Sequence, residues 1–349
     1  MPRPSIYWLL VFVPISLLAE LLGQQPVLVF VTTCLAIIPL AGLIGAATNQ
    51  LALRSGPRVG GLLNATFGNV TELIICILLV QAGEFDVAKA SLVGSILGNL
   101  ILVLGFSYLL GGIRFPEQRF SPRSASVHSS SLLLAVAGLV MPAVFVALSN
   151  DTPAQREVIS IAVAFVLIVL YVAALLFTMV THSHLFGARE TEEQAEWSAA
   201  RAVLVLVLAA GLVGVESEYL VGSLEPTVAA LSLSRVFVGL FVVAIIGNAA
   251  EHASAVVFAL RNRLDVSIEI AFSSSTQIAL LVAPLLVFIS LALGRPMDFV
   301  FSLYEVVAVT VATVIVAVIS RDGRSNWLEG AQLVGVYVIL AVSLFYVGS

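Results

Sequence analysis

Apolar segments of about 20 residues recur along the whole chain, and this pattern restricts the fold more than any other feature. A helix needs about 20 apolar residues to cross roughly 30 Å of hydrocarbon. The chain has 349 residues, of which 60% are hydrophobic and 11% are charged, whereas soluble domains carry about 25% charged residues. We therefore predict an all-α polytopic membrane protein, because helices satisfy their own backbone hydrogen bonds in lipid.

Eleven transmembrane helices are predicted, and the first is interpreted as a retained helix rather than a signal peptide. The spans lie near residues 5–22, 27–47, 59–82, 87–112, 127–148, 156–181, 200–220, 233–260, 266–293, 299–319 and 328–348. With this count, 12 of the 16 Lys and Arg residues fall on the side of the N-terminus. The positive-inside rule then predicts a cytoplasmic N-terminus.

One polar motif occurs twice inside apolar runs, as Gly-Asn-Val-Thr-Glu at 68–72 and Gly-Asn-Ala-Ala-Glu at 247–251. A carboxylate in mid-membrane costs about 2.5–3.5 kcal/mol on insertion scales, so such residues are usually functional. Within each motif the Asn and the Glu are three residues apart and share a helix face. The predicted ion-binding residues are therefore Asn69, Glu72, Asn248 and Glu251.

The two motifs belong to a longer internal repeat. A shift of 179 residues also aligns Gly60 with Gly239 and Asp86 with Asp265. The motif helices are the third and the eighth predicted spans, five positions apart, so the copies cross the membrane in opposite senses, as in many transporters. We predict an N-terminal helix in residues 1–25, five-helix repeats in 26–181 and 200–349, and an acidic cytoplasmic segment in 182–199.

Polar residues also follow each motif in the next span, and we predict that they support the ion-binding residues. Ser95 and Asn99 lie in the fourth span, and Ser274 and Gln277 lie in the ninth. Ordinary hydrogen bonding between helices is the alternative for all four. His252 follows Glu251 directly but points about 100° away on the helix, so we interpret it as an orienting hydrogen bonder rather than a ligand.

The segment between the repeats is rich in glutamate. Two interpretations stay open: a solvated linker, or a short regulatory helix that gathers cations on the cytoplasmic side. The acidic residues are Glu190, Glu192, Glu193 and Glu196.

Two carboxylates with amide oxygens suit a hard cation such as Ca²⁺, which takes 6–8 oxygen ligands. The site sums to zero charge with one Ca²⁺ bound and again with two protons bound. An empty, doubly anionic site is costly in a low dielectric. A gate that closes only around a neutral site would therefore exchange Ca²⁺ for protons.

Several stretches resemble CAX-type calcium/proton antiporters of the cation/Ca²⁺ exchanger superfamily. They are Leu-Asn-Ala-Thr-Phe-Gly-Asn at 63–69, Gly-Ser-Ile-Leu-Gly-Asn at 94–99, Gly-Asn-Ala-Ala-Glu-His-Ala at 247–253 and Ser-Ser-Thr-Gln-Ile-Ala at 274–279. The resemblance runs from about residue 40 to the C-terminus. It implies two inverted five-helix repeats, an acidic helix between them, and Glu72 and Glu251 as the proton-exchanging acids. Asn49, where the family commonly has an acid, and Ser273, where it commonly has glycine, depart from the pattern.

The sequence therefore favours a secondary antiporter that moves cytoplasmic Ca²⁺ against protons. Exchange against Na⁺, or of another cation against protons, is the alternative. We predict no enzyme activity, since an intramembrane aspartyl protease would need aspartates in unlike contexts, and a passive channel fits poorly with buried carboxylates. The expected partners are Ca²⁺, protons and the bilayer, with no cofactor and no nucleic acid, and a homo-oligomer is left open. The cell inner or plasma membrane is favoured over a vacuolar membrane.

Overall fold

The computed structural model describes residues 6–182 and 194–347, and this part of the chain is almost entirely helical. The helices are α1 Ile6–Leu21, α2 Pro26–Gly56, α3 Val59–Ala82, α4 Phe85–Arg114, α5 Pro122–Leu148, α6 Pro153–Thr181, α7 Ala199–Leu231, α8 Arg235–Ala259, α9 Leu264–Ala292, α10 Leu303–Ile319 and α11 Trp327–Val347. Within the described ranges, nine are long and apolar enough to cross a membrane, and α1 and α10 are shorter apolar helices. The prediction of a multi-pass helical membrane protein is confirmed, while the count of eleven spans stays a prediction.

Two short strands accompany the helices. β1 Gln118–Arg119 follows α4, and β2 Arg324–Ser325 precedes α11. They pair antiparallel and join the two loops that carry them.

Local sequence chemistry explains where several helices begin. Thr152 and Ser302 each cap a helix and form a capping box, with Gln155 and Glu305 respectively. In a capping box the hydroxyl accepts from an unpaired backbone N–H while the third helical residue bonds back to the cap. These reciprocal bonds fix the start of α6 and α10 at the loops that precede them.

The motif helix α3 is separated from α2 and is interrupted within itself. Gly56 has φ 78° and ψ 169°, which breaks the helix between α2 and α3. A second break lies at Gly68 and Asn69, where Asn69 has φ −107° and ψ 26°. Glu72 therefore lies in the first turn of the part of α3 that follows this break, Val70–Ala82.

The helices that follow the two motifs share an unusual feature at matching positions. α4 contains a π-helical stretch at Gly98–Val103, and α9 contains one at Ile278–Val282. These stretches fall within a residue of the 179-residue offset between the motifs. π-Helical turns inside α-helices often occur at functional sites. The match supports the predicted repeat, although the division of the chain into repeats stays a prediction.

α4 crosses α8 with the two backbones in direct contact. A Cβ on Gly94 would collide with the backbone carbonyl of Leu240, and a Cβ on Gly239 would lie 2.6 Å from the carbonyl oxygen of Val87. Glycine at both positions lets the two backbones touch, as small residues do between membrane helices. This crossing holds the helix that follows the first motif against the helix that carries the second motif.

Candidate ion-binding site

Glu72 lies inside the protein against the second motif. Its residue is 4% exposed. A Cβ built on Gly247 would lie 3.3 Å from Cγ and 3.4 Å from Oε1 of Glu72. The carboxylate of the first motif therefore packs directly on the backbone of the second, and the absence of a side chain at Gly247 makes the space for it.

Glu251 joins the same region from α8. It follows Gly247, on which the Glu72 carboxylate packs, by one helical turn, and its side chain lies beside the hydroxyl of Ser274. One oxygen of each acid, Oε2 in both, is buried without a hydrogen-bond partner in the described part of the chain. A buried, unpaired carboxylate oxygen is costly unless a cation or a proton satisfies it.

The two motif asparagines are held by serines at equivalent positions of the repeat. Ser274 donates to Oδ1 of Asn69 at 3.0 Å, and Nδ2 of Asn248 donates to Oγ of Ser95 at 2.9 Å. The serines and the asparagines are all buried, with exposures between 0% and 4%. Each Asn therefore reaches across from its motif helix to the helix that follows the other motif.

Asn99 and Gln277 extend this network and break its two-fold symmetry. Nδ2 of Asn99 donates to Oγ of Ser274 at 3.0 Å and to Oδ1 of Asn248 at 3.4 Å. Nδ2 of Asn69 donates to Oε1 of Gln277 at 2.6 Å. The offset of 179 residues aligns Asn99 with Ile278 and Gln277 with Gly98, so neither amide has a polar equivalent. Ser95, Asn99, Ser274 and Gln277, four of the five residues predicted to support the site, are thus in one hydrogen-bonded cluster with the two motif asparagines.

His252 packs at the edge of this cluster. Its Cε1 would lie 3.4 Å from a Cβ built on Gly98, the residue before Asn99. Its Nε2 is buried and has no hydrogen-bond partner among the residues that the structure describes. The orienting role proposed for His252 therefore stays a prediction, and this nitrogen does not supply it here.

The acidic segment is only partly described. Glu190, Glu192 and Glu193 lie outside the described residues, and Glu196 is exposed in a non-helical stretch before α7. The neighbouring Trp197 is attached to α2, because its N–H donates to Oε1 of Gln50 at 2.9 Å. The end of the acidic segment is thus attached to the last part of α2, before the helix breaks at Gly56.

A cavity of about 440 Å³ opens beside the cluster, between α5, α6 and α9. Ser273, Thr276 and Gln277 of α9 form one wall, so Gln277 connects the cavity to Asn69. One helical turn from Ser273, Glu269 pairs with His128 of α5, with Nε2 and Oε1 3.2 Å apart. The sequence analysis missed this pair. Residues 269, 273, 276 and 277 share a face of α9. This spacing is the sequence pattern from which Glu269 could have been predicted to lie near the polar residues of α9.

The chemistry of the cluster is that of a hard-cation site. Across the described residues, no group of three or more His, Cys, Asp or Glu side chains is placed to hold a metal. The cluster instead offers two carboxylates surrounded by amide and hydroxyl oxygens, which suit Ca²⁺ better than softer metals. The same two carboxylates can accept protons.

The chain is similar to known ion exchangers over nearly its whole length. The family described as sodium/calcium exchanger protein matches residues 25–180 and 201–346. The Ca²⁺/H⁺ antiporter of Synechocystis sp. is 44% identical over 363 residues, covering 97% of this chain and 96% of that protein. The Ca²⁺/H⁺ antiporter ChaA of Bacillus subtilis is 42% identical over 340 residues, covering 95% and 96%. The structure of native YfkE superposes with a TM-score of 0.86 at 38% identity, covering 98% of this chain and 99% of that one. The resemblance drawn from the motifs is confirmed.

Proposed function

The chain belongs to the family of sodium/calcium exchanger proteins, and from this premise we propose that it is an antiporter exchanging cytoplasmic Ca²⁺ for protons. One observation supports the proposal: Glu72 packs on Gly247 of the second motif, one helical turn from Glu251, and each acid has a buried oxygen without a hydrogen-bond partner among the described residues. The antiporters from Synechocystis and Bacillus, which match over nearly their whole length, support the choice of ions.

The exchange follows from charge balance at the site. Ca²⁺ neutralises the two carboxylates, and two protons do the same. The state with both acids charged and no cation is disfavoured because the surroundings are buried and of low dielectric. The site therefore becomes accessible from the opposite side of the membrane only when it holds one Ca²⁺ or two protons. This requirement couples the movement of Ca²⁺ to that of protons.

Asn69 and Asn248 complete the Ca²⁺ ligands in this proposal. An amide oxygen has two lone pairs, so each can accept its hydrogen bond and still face the cation. Ser95, Asn99, Ser274 and Gln277 fix the orientation of these amides through the bonds described above. Ca²⁺ and protons are substrates here, so no cofactor is needed.

Alternating access arises from the repeat. The α4–α8 crossing at Gly94 and Gly239 is closed. The offset pairs Gly94 with Ser273 and Gly239 with Gly60, and the atoms nearest to a Cβ on Gly60 belong to Ala52 of α2 rather than to α9, which supports a looser contact between α3 and α9. Ser273, the counterpart of Gly94, lines the cavity between α5, α6 and α9. In the opposite state of the cycle, the contact between α3 and α9 closes and the α4–α8 crossing opens.

We orient the protein with its N-terminus in the cytoplasm and count α1 and α10 among eleven spans. The open cavity then faces the cytoplasm, since α3 and α9 both begin on that side. The bacterial relatives support a plasma membrane location. Glu196 lies at the same face and can attract cations there.

Ca²⁺ uptake into everted membrane vesicles with an acidic interior tests the proposal. We expect uptake by the wild-type protein that collapses when the proton gradient is removed. Glu72→Gln and Glu251→Gln should each abolish uptake, because glutamine cannot release a proton or supply a charge. Glu157→Gln, at an exposed glutamate of α6, is the matched control and should transport normally.

The same vesicles distinguish the alternative exchangers. An imposed Na⁺ gradient should drive no Ca²⁺ uptake when the pH is equal on both sides. Wild-type rates in either site variant would contradict the assignment of the two acids. Uptake driven by Na⁺ alone would instead support a sodium/calcium exchanger.

A further inference from the structure

The wall that α9 presents to the cavity carries polar side chains along one helical face. Ser273, Thr276 and Gln277 line the cavity, and Glu269 precedes Ser273 by one turn. α9 begins at Leu264, so Glu269 lies between the start of the helix and the cavity. The other end of this face reaches the ion site, because Gln277 accepts from Asn69.

The carboxylate of Glu269 is held in place from α5. Nε2 of His128 lies 3.2 Å from Oε1, and the hydroxyl of Ser124 donates to Oε2 at 3.3 Å. The ring of His128 stacks on Phe272, with centroids 6.0 Å apart. The Glu269 side chain is 50% exposed and that of His128 is 12% exposed. The acid is thus positioned but remains accessible to water.

This arrangement occurs in only one half of the repeat. The offset of 179 residues aligns Glu269 with Ala90, a fully buried residue that packs on Gly239 in the closed α4–α8 crossing. An acid at this position therefore serves one side of the membrane only. It stands on the face of α9 that corresponds to the face of α4 in the closed α4–α8 crossing.

We propose that Glu269, positioned by His128 and Ser124, is a capture site for hydrated Ca²⁺ at the cytoplasmic mouth of the cavity. This inference rests on the proposed function. A single negative charge at the mouth of a cavity with low-dielectric walls raises the local cation concentration. Because Glu269 keeps part of its hydration, it binds the ion more weakly than the paired acids and releases it inward along the hydroxyl and amide face of α9.

The test is the dependence of initial uptake rate on Ca²⁺ concentration in everted vesicles, which expose the cytoplasmic face. Glu269→Gln should raise the apparent KM for Ca²⁺ roughly threefold to tenfold, since one attractive charge is lost. Vmax should stay within about twofold, because the transport site is unchanged. Raising the ionic strength should narrow the difference in KM from wild type, since salt screens an exposed charge.

Two variants separate capture from a structural role. Glu269→Asp keeps the charge and should raise KM less than Glu269→Gln. Glu117→Gln removes a charge from a 44% exposed glutamate outside the cavity, in the loop that leads to β1, and should leave KM unchanged. The amount and thermal stability of each purified variant show whether a change in rate reflects loss of folded protein.

The outcomes are distinct. An unchanged KM in Glu269→Gln, with normal wild-type uptake, overturns the capture site and leaves the antiporter proposal standing. A fall in Vmax at constant KM also overturns it, because the residue would then act in a later step. If Glu269→Gln does not fold, Glu269→Ala, which also removes the charge, takes its place, and a KM equal to that of wild type in this variant overturns the capture site. Absence of uptake by the wild type would contradict the proposed function itself.

Discussion

Ser274 is the residue at which the two halves of the site meet. Its hydroxyl donates to Asn69 and accepts from Asn99, each at 3.0 Å, and it lies beside Glu251. Both amides are buried, so loss of the hydroxyl would leave a donor and an acceptor unsatisfied. Such groups cost about 1–3 kcal/mol each when buried without a partner.

We therefore expect Ser274→Ala to weaken Ca²⁺ transport by roughly tenfold or more in Vmax/KM, an effect of about 1.4 kcal/mol per tenfold. Ser275→Ala is the matched control. Ser275 is equally buried, but its hydroxyl bonds only to the carbonyl of Ala271 in its own helix. Vesicle uptake measures both variants, and equal losses would show that the hydroxyl of Ser274 has no special role in the site.

At the scale of single elements, α1, which is predicted to lie outside the repeat, is attached to α7 by a buried polar contact. Ser16 donates to Oε1 of Glu216 at 2.8 Å, and both residues are 0% exposed. Glu216 aligns with Ile37 under the offset, so the repeat does not require it. The contact thus joins the extra helix to the second half of the protein.

Ser16→Ala should lower the stability of the protein by about 1–3 kcal/mol, because it removes the donor to a buried carboxyl group. The apparent KM for Ca²⁺ should not change, since the contact lies outside the proposed site. Thermal unfolding in detergent measures the stability, and vesicle uptake measures the apparent KM for Ca²⁺. Thr33→Val, which removes a hydroxyl bonded only within α2, is the control, and a similar loss of stability there would contradict the assignment.

The α4–α8 crossing is the second element-scale feature with a measurable consequence. Gly94→Ala places a methyl group against the carbonyl of Leu240, and overpacking of this kind costs about 1–3 kcal/mol. The closed crossing should loosen, and transport should fall because one end state of the cycle is destabilised.

Gly222→Ala provides the comparison for this change. A Cβ on Gly222, in α7, would have no atom within 4 Å, and alanine is the better helix former. We expect wild-type transport and unchanged or higher thermal stability for this variant. Wild-type uptake by Gly94→Ala would show that the crossing does not need backbone contact.

At the scale of the whole molecule, the two halves differ in packing although their motifs match. The α4–α8 crossing is closed at Gly94 and Gly239, whereas Ser273, the counterpart of Gly94, lines the 440 Å³ cavity. A transporter made of inverted repeats reaches its opposite state by exchanging these two arrangements. The structure therefore corresponds to the state open to the cytoplasm under the proposed orientation.

Thiol labelling tests this arrangement in a background lacking Cys34 and Cys76, the two buried native cysteines. A membrane-impermeant reagent added to the cytoplasmic face should modify Ser131→Cys, which lines the cavity, and should block Ca²⁺ uptake. Ala90→Cys, within the closed crossing, should resist the reagent from either side under the same conditions. Rapid modification of Ala90→Cys alone would show that the protein rests in the opposite state.

The sequence by itself determined the helical membrane class and the motif residues of the candidate site. Hydropathy and the cost of a charge in lipid depend on each segment alone, so Glu72 and Glu251 are conspicuous without any structure. Only the tertiary structure decided which partner each amide takes, that Glu269 meets His128, and that the α4–α8 crossing is closed while Ser273, the counterpart of Gly94, lines a cavity. A sequence built from two antiparallel copies permits both packings, and the choice between them depends on contacts between helices that are distant along the chain.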